Sequence, residues 1–161
     1  MSDKKLAHLD DAGNPCMVET GHKQPTDRQA VAAGSLRASR AVIDEVDSCK
    51  GSKGSVVAVA TIAAIQAAKR TSDFIPLCHP LALTGIDVDF ATDRDKSLVH
   101  CKATVLCTGR TGVEMEALLA VHVGLLTVYD MCKSVDRGME VVSVRLLAKS
   151  GGVSGDYQAP D

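Results

Sequence analysis

Residues 86–105 read IDVDFATDRDKSLVHCKATV, two runs of alternating apolar and polar residues joined by a polar connection. Apolar residues occupy every second position of 86–90 and again of 99–105. A period of two residues is typical of a strand with one buried face, and the TDRDK segment at 92–96 is a natural hairpin connection. The pattern therefore predicts two antiparallel, half-buried strands.

Helical segments flank this hairpin on both sides. Upstream, apolar residues at helical spacing predict a short helix over 40–47. The valines at the start of 55–70 favour a strand and the alanines that follow favour a helix. The length of that segment and its final Lys69-Arg70 pair, which suits the negative end of a helix, decide for a helix. Downstream, 113–135 predicts a long helix that is nearly apolar all round in its middle, so it must be buried on several sides.

Two further runs complete the element order. Weak alternation over 30–37 and a β-rich run over 139–147 predict the first and last strands, giving strand, helices, strand, strand, helix, strand. We therefore predict an α+β fold, the ferredoxin-like split β-α-β plait, with an antiparallel sheet and helices on one face. We expect an irregular N-terminal arm over 1–29, a single α+β domain over 30–149 and a flexible Gly/Ser-rich C-terminal tail over 150–161.

Composition excludes several classes of protein. Of 161 residues, 45% are hydrophobic and 24% charged, which is a globular composition. The formal net charge of −2 gives no positive field for nucleic acid, and two Tyr, two Phe and no Trp leave few platforms for base stacking. The polar start is no secretory signal, and the longest apolar run, 117–129, is shorter than the ~20 residues of a membrane helix. We expect a cytoplasmic protein with neither nucleic-acid nor membrane partners.

Common cofactor and metal signatures are missing from the sequence. It contains no P-loop, no G-x-G-x-x-G and no H-E-x-x-H motif. No C-x-x-C pair occurs among the six cysteines, which we expect to be thiols in a reducing compartment. The sequence therefore predicts neither a metal site nor a bound cofactor.

Charged residues at the two ends of the long helix are candidates for function. Asp130 and Lys133 share a helix face and can touch, and a carboxylate beside an ammonium can act as a proton-transfer couple. Taken alone, the two residues are more simply explained as a plain intrahelical ion pair. For Glu114 and Glu116, at the other end, the default explanation is that carboxylates suit the positive N-terminus of a helix.

Helix length suggests how both ends could serve one site. Glu116 and Asp130 lie on nearly one face but about 21 Å apart along the axis. The simplest solution is a symmetric dimer in which the start of one helix meets the end of its neighbour's. The apolar centre of the helix fits such an interface, although burial within one subunit explains it as readily.

Several loop residues also suit a binding site. His79 is held between prolines in IPLCHPL at 75–81, either to aim the imidazole or simply hydrogen-bonded to a local carbonyl. Lys53, Arg110 and Lys149 lie beside glycines, where backbone amides and cations together suit a polyphosphate, although each alone is typical of a solvated loop. His122, in the middle of the long helix, is predicted to be a hydrogen-bonded core histidine.

Four ordered motifs carry a family resemblance. The chain resembles the cyclic pyranopterin monophosphate synthase family, accessory protein C of molybdenum cofactor biosynthesis, over about residues 6–156. The motifs are KRT at 69–71, IPLCHPL at 75–81, TGVEMEAL at 111–118 and YDMCK at 129–133, followed by KSGG at 149–152.

The resemblance implies an activity and an assembly. Family members act on 3',8-cyclo-7,8-dihydroguanosine 5'-triphosphate, which a radical enzyme makes upstream from GTP, and they form cyclic pyranopterin monophosphate with release of diphosphate. No cofactor is implied, although magnesium can accompany the triphosphate or diphosphate. The implied assembly is a homohexamer, a trimer of dimers, with sites at the dimer interface.

The resemblance also implies roles for individual residues. Asp130 and Lys133 would carry general acid/base catalysis, with Lys53 as a second catalytic lysine. The implied substrate-binding residues are Leu77, Cys78, His79, Glu114, Met115, Glu116, Arg28 and Lys149. Two positions depart from the family pattern: Thr61, where an arginine is frequent, and Val153, where the tail usually carries a lysine.

A non-catalytic oligomeric module that binds a nucleotide or metabolite is the alternative from another class of protein. The Asp130/Lys133 couple together with His79 favours catalysis, since a binding module has little use for a proton couple. Nucleic-acid binding ranks third.

Overall fold

Five strands and four helices make up the part of the chain that the computed structural model describes, residues 7–48, 55–153 and 155–160. In chain order they are β1 (Thr26–Arg37), α1 (Arg40–Ser48), α2 (Val56–Lys69), α3 (Thr71–Phe74), β2 (Leu83–Asp93), β3 (Leu98–Gly109), α4 (Glu114–Cys132), β4 (Glu140–Ser150) and β5 (Tyr157–Gln158).

The strands form one antiparallel sheet in the order β2-β3-β1-β4-β5. The predicted hairpin is the β2–β3 pair, in which Val88 lies opposite Ala103. Its turn is held by Asp93, whose Oδ1 accepts hydrogen bonds from the backbone amides of Asp95 and Lys96 at 3.1 and 2.9 Å. The order of the first four strands is that of the split plait. The prediction of an α+β ferredoxin-like fold is therefore confirmed.

Helix α4 lies across the sheet, where it contacts β1, β3 and β4, and α2 packs beside it against β2. Two glycines allow this close packing. A Cβ at Gly34 in β1 would lie 2.6 Å from the Ser143 carbonyl oxygen and 2.8 Å from a methyl group of Val121 in α4. A Cβ at Gly124 in α4 would lie 3.4 Å from the Cβ of Ala64 in α2. The alanines of α2 thus permit close contact with α4.

Several element boundaries differ from the sequence expectation. Strand β1 begins at Thr26, inside the segment 1–29 expected to be irregular, because its polar first residues still pair with β3 through backbone groups, Thr26 opposite Gly109. Helix α4 ends at Cys132, short of residue 135. The sequence did not predict α3 or β5, which are four and two residues long and too short to show a period.

By length and composition alone, α4 is the one helix among the described residues that could cross a membrane. The helix spans 19 residues, longer than the uncharged run from which the sequence excluded a span. Its buried residues are spread over its whole length, from Glu116 to Cys132, and pack against the sheet and α2. In this fold α4 is therefore the central core helix.

We expect Gly34→Ala to destabilise the fold. The added methyl group would overlap a backbone oxygen and two valine side chains, so the sheet or α4 must shift, at a cost of about 2–3 kcal/mol. Urea unfolding measures this difference. Gly138→Ala is the matched control, because its nearest neighbour is only the Asp136 carboxylate at 3.3 Å, and we expect a change below ~0.5 kcal/mol. Equal effects of the two substitutions would contradict this account of the packing.

Candidate active site

A cavity of about 270 Å³, called the histidine cleft below because His8 and His79 line it, lies where α4 begins. On one side is the turn after α3, which cannot continue the helix because Pro76 and Pro80 lack amide donors. On the other side is the Arg110–Gly112 loop, which leads from β3 into α4. The lining residues are His8, Leu77, Cys78, His79, Leu81, Thr111, Gly112, Glu114, Met115 and Glu116. The fold therefore brings together six of the eight substrate-binding residues that the resemblance implied.

A second cavity of about 150 Å³, the cationic cleft below, adjoins the first, and the two share Thr111, Gly112 and Glu114. Four basic residues line it: Lys23, Arg28, Arg110 and Lys149. Arg28 and Lys149, the other two implied substrate residues, come from the neighbouring strands β1 and β4. A cleft with four cations and one carboxylate, Glu114, is suited to a polyanion.

Sequence reasoning missed Lys23 and His8. Both lie before β1, in a polar segment without either period, so no pattern marks them. They reach the two clefts only because the chain folds back beside the start of α4. Arg110 was found, from its place between glycines.

Hydrogen bonds hold two of these cations in place. Lys149 Nζ donates to Glu114 Oε1 at 2.8 Å, and both side chains are largely buried. Arg28 donates from Nε to the Gly109 carbonyl and from Nη1 to the Gly151 carbonyl, each at 3.3 Å. Arg28 is thus held by two carbonyl groups before any anion enters, which lowers the entropic cost of binding.

Glu116 is an unusual group in the histidine cleft. Only 4% of its surface is exposed, although it is a carboxylic acid. Burial, together with the negative charge of Glu114, raises the pKa of Glu116 to about 7. Burial and the nearby Glu116 also raise the pKa of the Cys78 thiol. A carboxyl group that titrates near neutral pH is suited to proton transfer.

Asp130 and Lys133 lie at the opposite end of α4. Lys133 Nζ donates to Asp130 Oδ1 at 2.5 Å, so the two side chains are in contact, as predicted, and both are more than half exposed. The fourteen residues from Glu116 to Asp130 span about 21 Å of helix. Within one subunit the implied catalytic pair is therefore not part of either cleft. Lys53, the second implied lysine, lies outside the described residues.

The predicted burial of His122 is wrong. The side chain is exposed, although its Nδ1 does donate to the Leu118 carbonyl at 2.8 Å. The sequence could not show which sides of an all-round apolar helix the chain itself covers.

Exposed residues lie at helical spacing along one side of α4. This outer stripe consists of Met115, His122, Leu126, Asp130 and Lys133.

Among residues 7–48, 55–153 and 155–160 there is no group of three or more His, Cys, Asp and Glu side chains that could hold a metal ion.

The fold and the clefts define a class: a ferredoxin-like α+β protein with a cationic cleft beside a buried carboxyl group. A family model described as the MoaC family matches residues 17–152, most of the chain. The chain therefore belongs to the MoaC family, which confirms the resemblance found in its motifs and associates the chain with molybdenum cofactor biosynthesis.

We expect Glu116→Gln to stabilise the protein at pH 8 but not at pH 4.5. The pKa of Glu116 is raised on folding, so its contribution to stability is full below about pH 4.5 and is lost as the pH rises to about 7. A shift of this size corresponds to a difference on the order of 3 kcal/mol above pH 7. Urea unfolding at fixed protein concentration measures it.

Glu140→Gln is the control for that measurement. Glu140 is 63% exposed and pairs with Arg37 on the surface, so its replacement should have a small effect without this pH dependence. A stability difference for Glu116→Gln that does not change between pH 4.5 and pH 8 would rule out a raised pKa.

Proposed function

We propose that this chain has cyclic pyranopterin monophosphate synthase activity. As a phosphorus–oxygen lyase it would convert 3',8-cyclo-7,8-dihydroguanosine 5'-triphosphate into cyclic pyranopterin monophosphate and diphosphate. The observation that carries the proposal is the pair of adjoining clefts in a MoaC-family chain, one with four basic residues and one with a carboxyl group of pKa about 7.

The cationic cleft is suited to the triphosphate. Formation of a cyclic phosphate expels diphosphate, and negative charge grows on the departing oxygen. Arg28 and Lys149 face a cavity that also contains Lys23 and Arg110, so cations surround a bound phosphate chain. When the substrate enters, it replaces Glu114 as the partner of Lys149. The Glu114 carboxylate, next to the histidine cleft, is then free. The purine end of the substrate then lies toward His79 and Glu116.

We place the proton transfers of the reaction in the histidine cleft. Rebuilding a purine into a pyranopterin moves protons on and off nitrogen and carbon. We assign this acid/base work to Asp130 and Lys133, with Lys53 as the second lysine. Glu116, His79 and Met115 contact the substrate, and Leu77 and Cys78 complete the apolar wall.

A second copy of the chain would complete the site. The outer stripe of α4 begins at Met115, beside the histidine cleft, and ends at Lys133. When two such stripes pack antiparallel about a two-fold axis near His122, Asp130 and Lys133 of each copy reach the cleft of the other. Leu126, an exposed apolar side chain of this stripe, fits an interface between subunits. We propose that three such dimers form a hexamer.

We also propose that the enzyme needs no resident cofactor. Any magnesium arrives with the triphosphate as part of the substrate. The protein acts in the cytoplasm, without nucleic-acid or membrane partners.

We expect Asp130→Ala to reduce turnover of the cyclised triphosphate by at least ~100-fold while substrate binding changes little, because a proton-transfer group is removed. Release of diphosphate and formation of the pterin are followed together. Asp44→Ala is the matched control, since Asp44 is also an exposed helical carboxylate in an ion pair, and it should retain full activity. Unchanged turnover of Asp130→Ala would disprove its catalytic role. Binding without turnover in the unmodified protein would indicate a binding module instead.

Mixing two inactive variants tests the shared site. In a heterodimer of Glu116→Ala and Asp130→Ala, one site carries both substitutions and the other carries neither. Random exchange of subunits should therefore restore about one quarter of the activity. The extent of exchange is measured by native mass spectrometry. No recovery after complete exchange would show that each site lies within one subunit.

A further inference from the structure

The C-terminal segment, residues 155–160, lies beside β4, the strand that carries Lys149 of the cationic cleft. Tyr157 pairs with Lys149 and Gln158 with Ala148, so β5 adds a short strand along the edge of β4. The Ala159 amide donates to the Leu147 carbonyl at 2.7 Å, and Arg145 Nη1 donates to the Pro160 carbonyl at 3.3 Å. This pairing keeps the segment beside the strand that carries Lys149.

Gly151 and Gly152 form the turn between β4 and this segment. Both have positive φ, +85° and +90°, a conformation that favours glycine. A Cβ at Gly151 would overlap the Asp27 carbonyl oxygen, and one at Gly152 would overlap the guanidinium of Arg28. The turn therefore packs so closely against Asp27 and Arg28, at the start of β1, that it has no room for side chains at these two positions.

A chain of two hydrogen bonds connects the C-terminal segment to Arg28. The Gly151 amide donates to Asp156 Oδ1 at 3.2 Å. The carbonyl of the same Gly151 accepts from Arg28 Nη1 at 3.3 Å. The Gly109 carbonyl accepts from Nε of the same guanidinium. Asp156 thus fixes one of the two carbonyl groups that orient Arg28.

We propose that Asp156 is a positioning residue for polyphosphate binding: it holds the Gly151–Gly152 turn, and the turn holds Arg28 at the cationic cleft. The choice of ligand rests on the proposed function, whereas the positioning rests on the contacts themselves. Asp156 acts through Gly151 and Arg28 and needs no contact with the ligand.

The sign of the expected effect distinguishes positioning from electrostatics. Asp156 is an anion close to a cleft for anions, so electrostatics alone predicts that its neutralisation tightens binding. Positioning predicts the opposite for Asp156→Ala, which loses the acceptor. Asp156→Asn is as neutral as alanine but keeps an oxygen that accepts from the Gly151 amide.

The experiment is calorimetric titration of the full-length protein, in its native assembly, with inorganic diphosphate. We expect Asp156→Ala to weaken binding about fivefold, as for loss of one hydrogen bond, and Asp156→Asn to stay within about twofold of the unmodified protein. Asp93→Ala is the matched control, because Asp93 also holds a turn by accepting from backbone amides but lies in the β2–β3 hairpin. It should leave diphosphate affinity unchanged.

Two further variants exclude a general loss of structure. Gly151→Ala displaces the same turn without any change of charge, and it should also weaken diphosphate binding. The double variant Arg28→Ala/Asp156→Ala should bind no more weakly than Arg28→Ala alone if Asp156 acts through Arg28. Additive losses would overturn the proposal.

The remaining outcomes are equally decisive. Unchanged or tighter binding by Asp156→Ala, equal weakening by Asp156→Asn, or no diphosphate binding by the unmodified protein would each overturn the positioning role. Turnover of the cyclised triphosphate is measured separately. Absence of turnover with the expected affinities would refute the proposed activity alone, and turnover with unchanged affinities would refute the role of Asp156 alone.

Discussion

The contact between α4 and β1 at Gly34 is the constraint on which the other features depend. A methyl group of Val121 lies only 2.8 Å from where a Cβ of residue 34 would be, so the helix packs closely against the middle of the sheet. With its middle fixed, the first turn of α4 lies at the two clefts and the last turn carries Asp130 and Lys133 away from them. The separation of the two ends follows from this one rigid element and is the reason why the proposed site needs a second copy.

Charge in the clefts follows from the same placement. Glu114 and Glu116 are neighbours in the first turn, but Glu114 reaches Lys149 while Glu116 is turned into the protein interior. One carboxylate is therefore paired and the other is desolvated, and this desolvation raises the pKa of Glu116. Two similar residues, two positions apart, thus acquire different chemistry from their surroundings.

Much of the fold could be predicted because most of its elements are long. Alternation indicated the β2–β3 hairpin and helical spacing indicated α1, whereas α2 was indicated by its length and composition and α4 by its long apolar run. The short elements α3 and β5 contain too few residues to show a helical or strand period. They form because neighbouring segments supply hydrogen-bond partners and contacts.

The candidate site was only partly predictable, for a different reason. Motifs identified His79 and Glu116 as residues of interest, but the cationic cleft depends on the register of β1 with β4 and on Lys23, far from Lys149 in sequence. No periodicity encodes such a meeting of distant segments. The predicted burial of His122 was wrong for a related reason. The sequence of an apolar helix indicates that its sides will be covered, but not whether its own chain or another copy covers them.

The fixed position of α4 also constrains the number of its residues. One inserted residue between Gly124 and Asp130 would turn everything beyond it by 100° and advance it by about 1.5 Å. Asp130 and Lys133 would then leave the outer stripe, although no side chain of either cleft had changed. The length of the helix therefore matters to the proposed site separately from the packing of its side chains.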